Sequence, residues 1–98
     1  SCVDWFKRTF PTYVIFSVAN EACYKRKSFF EKSGLLSGVS DTVVILNNKV
    51  LFIEFKSPKG VQRLKQKAFQ AKLEYLNQKY YICRNLEGFQ NIIRTELN

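Results

Sequence analysis

Two apolar runs, Thr42-Val43-Val44-Ile45-Leu46 and Lys49-Val50-Leu51-Phe52-Ile53, flank the pair Asn47-Asn48. β-Branched and aromatic residues favour strands, and Asn tolerates the positive φ that a two-residue hairpin turn demands. The pattern predicts a β-hairpin. With only the two asparagines in the turn, Leu46 stands opposite Lys49, Ile45 opposite Val50 and, further back, Asp41 opposite Glu54. Side chains alternate faces along a strand, so Lys56 shares the face of Glu54 and lies diagonal to Asp41.

The rest of the chain follows from the same patterning. Val3, Phe6 and Phe10, with Trp5 on a neighbouring face, predict a short amphipathic helix ending at Pro11. With no cap recognised at its start, it is expected to be the tail of a longer helix. Thr12 to Val18 predicts a strand, and Ala19-Asn20-Glu21 then leaves the sheet. Residues 22–33 hold Tyr24, Lys25, Arg26, Lys27, Phe29, Phe30 and Lys32, which fit a basic loop or irregular helix with aromatic anchors.

Beyond the hairpin, Ser57-Pro58-Lys59-Gly60 predicts a turn, and Val61 to about Leu76 predicts a helix. On that helix Val61, Leu64, Ala68, Ala71 and Tyr75 share one face, while Phe69, Leu73 and Leu76 form a second stripe. Such a helix is expected to be covered on two sides, by the sheet and by either a second subunit or the last helix. Asn77 suits a left-handed helix stop. Tyr80 to Cys83 predicts a strand, and Asn85 can cap a final helix whose apolar side is Leu86, Phe89, Ile93 and Leu97. The order is αβ, a β-hairpin, then αβα, an α/β fold in which a strand-helix-strand crossover makes the sheet mixed and puts helices on both faces.

Ninety-eight residues give one domain with one modest core, for which dimerisation is an inexpensive source of extra stability. Sixteen Lys and Arg against eight Asp and Glu leave a net charge of +8, which favours a polyanionic partner, nucleic acid rather than membrane. The apolar runs are strand-length and no signal-peptide core is present, so an intracellular, cytoplasmic protein is expected. Cys2, Cys23 and Cys83 are far apart and no His occurs, which argues against a zinc site and suits reduced thiols. The missing imidazole also removes Ser-His and Cys-His nucleophilic chemistry and His-based phosphotransfer.

The chemistry is concentrated at one end of the hairpin. Two carboxylates at cross-strand distance repel, and burial raises the cost of charging both. A shared proton, a cationic side chain or a divalent metal would compensate them, and Mg²⁺ commonly uses one or two protein carboxylates and leaves other positions to water and phosphate. Asp41 alone could equally be a strand-start residue. Glu54 is harder to explain that way, being an acid within the most hydrophobic strand; Lys56 could serve it as a structural ion pair, or could orient or deprotonate a water. Lys25, Arg26 and Lys27 could be phosphate contacts or a solvated face. Gln66 sits on the flank of its helix between Arg63, Lys65 and Lys67, placed to bond a phosphate or the carboxylates, or simply to be solvated.

The spacing Asp-x12-Glu-x-Lys, written here as Ser40-Asp41 and Glu54-Phe55-Lys56, resembles the PD-(D/E)XK nuclease superfamily. Gly38-Val39-Ser40-Asp41, Ile53-Glu54-Phe55-Lys56, Lys59-Gly60 and Gln66 look like its VRR-NUC branch, found at the end of Fanconi-associated repair nucleases and as small stand-alone phage proteins. Trp5-Phe6, Pro11 and Asn20 fall where that family's first helix, strand and loop would lie. The resemblance implies a restriction-endonuclease-like core in which Asp41, Glu54 and the Phe55 backbone carbonyl ligate Mg²⁺ or Mn²⁺, Lys56 positions or activates the attacking water, and Gln66 joins the catalytic set. It further implies hydrolysis of DNA phosphodiesters, with stand-alone members resembling homodimers that cut branched DNA such as four-way (Holliday) junctions. Asn20, Lys25, Arg26, Lys27, Lys59, Arg63 and Lys67 would then contact nucleic acid. Three positions depart from the family. Ser40 replaces a proline, Asn77 replaces a glycine, and the family's metal-binding Glu on the first helix falls upstream of the Trp5 position, in a stretch this sequence does not reach. Glu21 is the better local candidate for that ligand, ahead of Asp4. A catalytically silent nucleic-acid-binding module on the same fold, and a monomeric nuclease acting on flaps or nicks, are the competing readings.

Overall fold

The computed structural model describes residues 1–18 and 40–98. The basic stretch holding Asn20, Glu21, Lys25, Arg26 and Lys27 lies outside the described residues. In chain order the elements are α1 (Cys2–Thr9), β1 (Val14–Ser17), β2 (Thr42–Leu46), β3 (Lys49–Phe55), α2 (Leu64–Tyr75), β4 (Lys79–Cys83) and α3 (Leu86–Leu97).

Local chemistry sets the boundaries. The Ser1 hydroxyl accepts from the Asp4 N–H at 3.2 Å, so α1 carries a side-chain cap, contrary to the expectation of an uncapped helix tail. Strand β1 starts at Val14, two residues later than expected, after a turn in which the Tyr13 N–H donates to the Phe10 carbonyl. Asn48 and Asn77 have φ of 57° and 59°, the left-handed region that Asn enters at low cost. They close the hairpin and stop α2. The Asn85 side chain accepts from the Gly88 N–H at 2.7 Å and starts α3.

The sheet has the order β1-β2-β3-β4, with the first two pairings antiparallel and β3-β4 parallel across the α2 crossover. In the hairpin, Leu46 pairs with Lys49, Ile45 with Val50 and Thr42 with Ile53, the register expected for a two-residue turn. This mixed four-stranded sheet carries helices on both faces. On one, Phe6 of α1 and Phe89 and Ile93 of α3 pack with Ile15, Val44, Leu46, Leu51, Ile53 and Cys83. Phe89 is fully buried, with its ring edge-on to Trp5 and against Phe6 and Phe55. On the other face Phe69 and Leu73 of α2 pack on Tyr80, Phe52 and Ile82.

Two expectations about helix faces need correction. Helix α2 begins at Leu64 rather than Val61, and the face carrying Leu64, Ala68, Ala71 and Tyr75 has no cover among the described residues: Leu64 is 83% and Tyr75 87% exposed, and Leu76 of the other stripe is exposed as well. Only Phe69 and Leu73 of the second stripe are buried. In α3, Leu86 and Leu97 are largely exposed while Glu96 is buried among the apolar side chains. Its carboxylate accepts from the Tyr81 hydroxyl and pairs with Lys49 at 3.6 Å and Lys79 at 3.9 Å. Burial of a carboxylate is tolerated when hydroxyl and ammonium groups meet its oxygens.

Candidate functional site

Register and parity assemble the site. Because Thr42 pairs with Ile53, the preceding position, Asp41, comes to the strand position beside Glu54 on the α2 face of the sheet. Asp41 Oδ2 accepts from the Phe55 N–H at 3.0 Å, which fastens the carboxylate to the far strand of the hairpin. The Val18 N–H donates to the Asp41 carbonyl at 2.7 Å, and the Lys56 N–H donates to the Cys83 carbonyl at 2.9 Å. Three strands therefore fix the backbone around the two acids.

Glu54 is 2% exposed. The Gln66 side-chain N–H donates to Glu54 Oε2 at 3.1 Å, and Lys56 Nζ lies 3.8 Å from the same oxygen. Lys56 Nζ also donates to Gln66 Oε1 at 2.9 Å, an oxygen that additionally accepts from the Arg63 N–H at the start of α2. Gln66 is thus buried, and of the partners open to it on the helix flank, a phosphate, the carboxylates or solvent, it takes the carboxylate of Glu54. It couples the helix terminus to the acid and the ammonium. Phe55 contributes its backbone here while its ring turns to the opposite face against Phe89.

One atom stands apart. Glu54 Oε1 is buried and has no hydrogen-bond partner. An orphaned carboxylate oxygen in such a place is costly unless it is protonated or meets a cation. Accordingly the Glu54 carboxyl is pushed up to about 7, first by burial, then by the negative charge of the adjacent Asp41 carboxylate, against the opposing pull of Lys56. The donor set left open, Glu54 Oε1 and the neighbouring Asp41 carboxylate, is hard and anionic, the kind that suits Mg²⁺ or Mn²⁺. Among the described residues no third His, Cys, Asp or Glu joins the pair. Glu21 lies outside the described residues.

Of the expected nucleic-acid contacts, Lys59, Arg63 and Lys67 are exposed on the turn and first helical turn that adjoin Lys56 and Gln66. Asn20, Lys25, Arg26 and Lys27 are outside the described residues. Sequence reading passed over several neighbours. Tyr80 is buried on the same face and its hydroxyl accepts from the Gln62 side chain at 3.1 Å; burial chiefly, and then the charges of Glu54 and Asp41, raise its pKa. Arg84, at the end of β4, binds the backbone of the Ser57-Gly60 turn. The parallel β3-β4 pairing that puts position 83 beside 55 was the signal available for Arg84. No helix among the described residues is long and apolar enough to cross a membrane. Compared with protein-family models, curated proteins and solved structures, the chain matches none.

Proposed function

We propose that this chain is a metal-dependent endodeoxyribonuclease of PD-(D/E)XK type, similar to the VRR-NUC branch, that hydrolyses phosphodiesters in branched DNA such as four-way junctions. The observation that carries the reading is buried Glu54 beside half-buried Asp41, with one Glu54 carboxylate oxygen unsatisfied and an ammonium group 3.8 Å from the other. Asp41, Glu54 and the Phe55 carbonyl would hold Mg²⁺ or Mn²⁺. The ion, when bound, supplies charge neutralisation at the phosphate and acidifies water. Asp41, held by the Phe55 N–H, and Glu54, held by Gln66, present their carboxylates in a fixed arrangement, so little reorganisation remains for the reaction. Lys56 positions the attacking water, its ammonium aimed by the tether to Gln66 Oε1. Gln66 is a positioning residue in this scheme because its polar atoms are already bonded within the protein.

A net charge of +8 and the exposed Lys59, Arg63 and Lys67 support a polyanionic substrate. The uncovered apolar face of α2 supports a homodimer, in which two sites on a two-fold axis would address two strands of a junction. A cytoplasmic setting, the host cell if the protein is viral, belongs to the same proposal.

The test is cleavage of labelled junction, flap and duplex DNA with Mg²⁺, Mn²⁺ or EDTA. Junction cutting by the wild type, and none by Glu54→Ala with DNA binding retained, is the expected result. An E54A protein that still cuts takes Glu54 out of the mechanism, and a monomeric mass in light scattering at micromolar concentration counts against paired junction incision. The pairing of Glu54 with only one other acid among the described residues favours, as second reading, a silent DNA-binding module. That reading gains if wild type binds junctions and never cuts them with either metal.

A further inference from the structure

The segment between Lys56 and Gln66 is held in an unusual way. In the turn Ser57-Pro58-Lys59-Gly60 the Gly60 N–H donates to the Ser57 carbonyl at 3.0 Å. Pro58 fixes its own φ, and a Cβ at Gly60 would stand 3.0 Å from the Ser57 hydroxyl and 3.3 Å from the Ser57 nitrogen, a close fit at the fourth position. The carbonyls of this turn converge. Arg84 Nη1 lies 2.7 Å from the Ser57 oxygen, 2.8 Å from the Gly60 oxygen and 3.5 Å from the Pro58 oxygen. An exposed guanidinium of a basic protein is thus directed at its own backbone instead of outward.

The anchoring runs deeper than the side chain. Arg84 follows Cys83, whose carbonyl accepts from the Lys56 N–H, so the clamp springs from the strand that flanks the site. The residue at the tip of the clamped turn is Lys59, exposed and three positions from Lys56. A lysine on a loose loop loses conformational freedom of both chain and side chain on meeting a phosphate; on a turn locked by Pro58, Gly60 and Arg84, only the side-chain part remains to be lost.

We propose that Arg84 is a positioning residue for nucleic-acid binding, acting through the Ser57-Gly60 turn to present Lys59 to a backbone phosphate of the substrate. The inference rests on the nuclease reading above for its substrate class, but not on cleavage. A phosphodiester chain is the class recognised, and the contact is indifferent to base sequence.

The experiment measures binding of a labelled four-way junction in EDTA across a series of salt concentrations, for wild type, Lys59→Ala, Arg84→Ala, the double variant and Arg84→Lys. Losing one phosphate contact lowers the slope of log affinity against log salt by about 1. Under the proposal K59A and R84A each show that loss, the double variant shows no more than either alone, and R84K, which can still donate to the carbonyls, recovers part of it. Hydrogen exchange at the Gly60 amide quickens in R84A while the melting temperature holds, which separates a loosened turn from a damaged fold. Additive losses in K59A and R84A would mean that Arg84 touches phosphate itself, and an unchanged slope in R84A would mean that it does neither; each overturns the proposal. Wild type that fails to bind the junction at all defeats the nucleic-acid reading and this inference with it, whereas binding without cutting defeats only the catalytic part of that reading.

Discussion

Replacing Glu54 by Gln should make the metal-free protein more stable while removing its activity, a pairing of effects that a structural ion pair would not produce. Folding raises the Glu54 carboxyl from its ordinary 4.5 to about 7, burial being the first cause and Asp41 the second. Between those values the folded state holds more protons than the unfolded chain, so stability falls as pH rises through the window and the full penalty is reached above pH 7. At 1.36 kcal/mol for each tenfold change in proton affinity, the penalty has a ceiling of about 3 kcal/mol. Gln cannot ionise, keeps an oxygen for the Gln66 N–H, and offers a donor on the side of Asp41. It forfeits the Lys56 partner, so the expected gain at pH 8.5 in EDTA is smaller, about 1–2 kcal/mol, or on the order of 5–10 °C in a domain of this size. The assay is thermal unfolding by circular dichroism at pH 8.5 and pH 5. At pH 5 the wild-type carboxyl is largely protonated and the gap should nearly close. Added Mg²⁺ should raise the wild-type midpoint and leave E54Q in place. An E54Q protein less stable than wild type at pH 8.5, or a gap indifferent to pH, would refute the reasoning.

Gln66→Ala strips the hydrogen bond from Glu54 Oε2 and the tether from Lys56, leaving a buried acceptor exposed to no partner; unfolding in urea should show a loss of about 1–3 kcal/mol, and single-turnover cleavage should fall more than junction binding does. Phe89→Ala empties the centre of the larger core and should cost about 3–5 kcal/mol in the same measurement, on the face of the sheet away from Asp41, Glu54 and Lys56, so any loss of activity should chiefly track the unfolded fraction.

How much of this was legible depended on how local the cause was. The register of the hairpin could be read because Asn47-Asn48 fixes it within two residues, and with it the meeting of Asp41 and Glu54. Asn77 and Asn85 were legible for the same reason, as one-residue signals with their own backbone chemistry. The burial of Gln66 was not, because it is decided by Lys56 and Glu54, ten and twelve positions away, and a helical wheel reports neighbours along one helix only. Likewise periodicity grouped Leu64, Ala68, Ala71 and Tyr75 correctly as one side of a helix, while adding Val61, which precedes it, but carried no information on whether anything lies against that side. Glu96 was overlooked because an acid in a terminal helix reads as solvated; its spacing after Phe89 and Ile93 placed it on their stripe, and the partners Lys49, Lys79 and Tyr81 arrive from two other strands.

The two-residue hairpin turn also says which changes in length this chain could survive. Insertion or deletion of a single residue between Leu46 and Lys49 would slip one strand by half a pleat and turn Glu54 toward the Phe89 side of the sheet while Asp41 stayed where it is. Point substitutions at Asn48 trouble the backbone of the turn and those at Asn47 also remove a hydrogen bond to the Tyr13 hydroxyl, but an indel there would divide the acidic pair between two layers of the molecule. Among natural variants of this sequence, loop length at positions 47 and 48 should therefore be held constant even where the residues themselves drift.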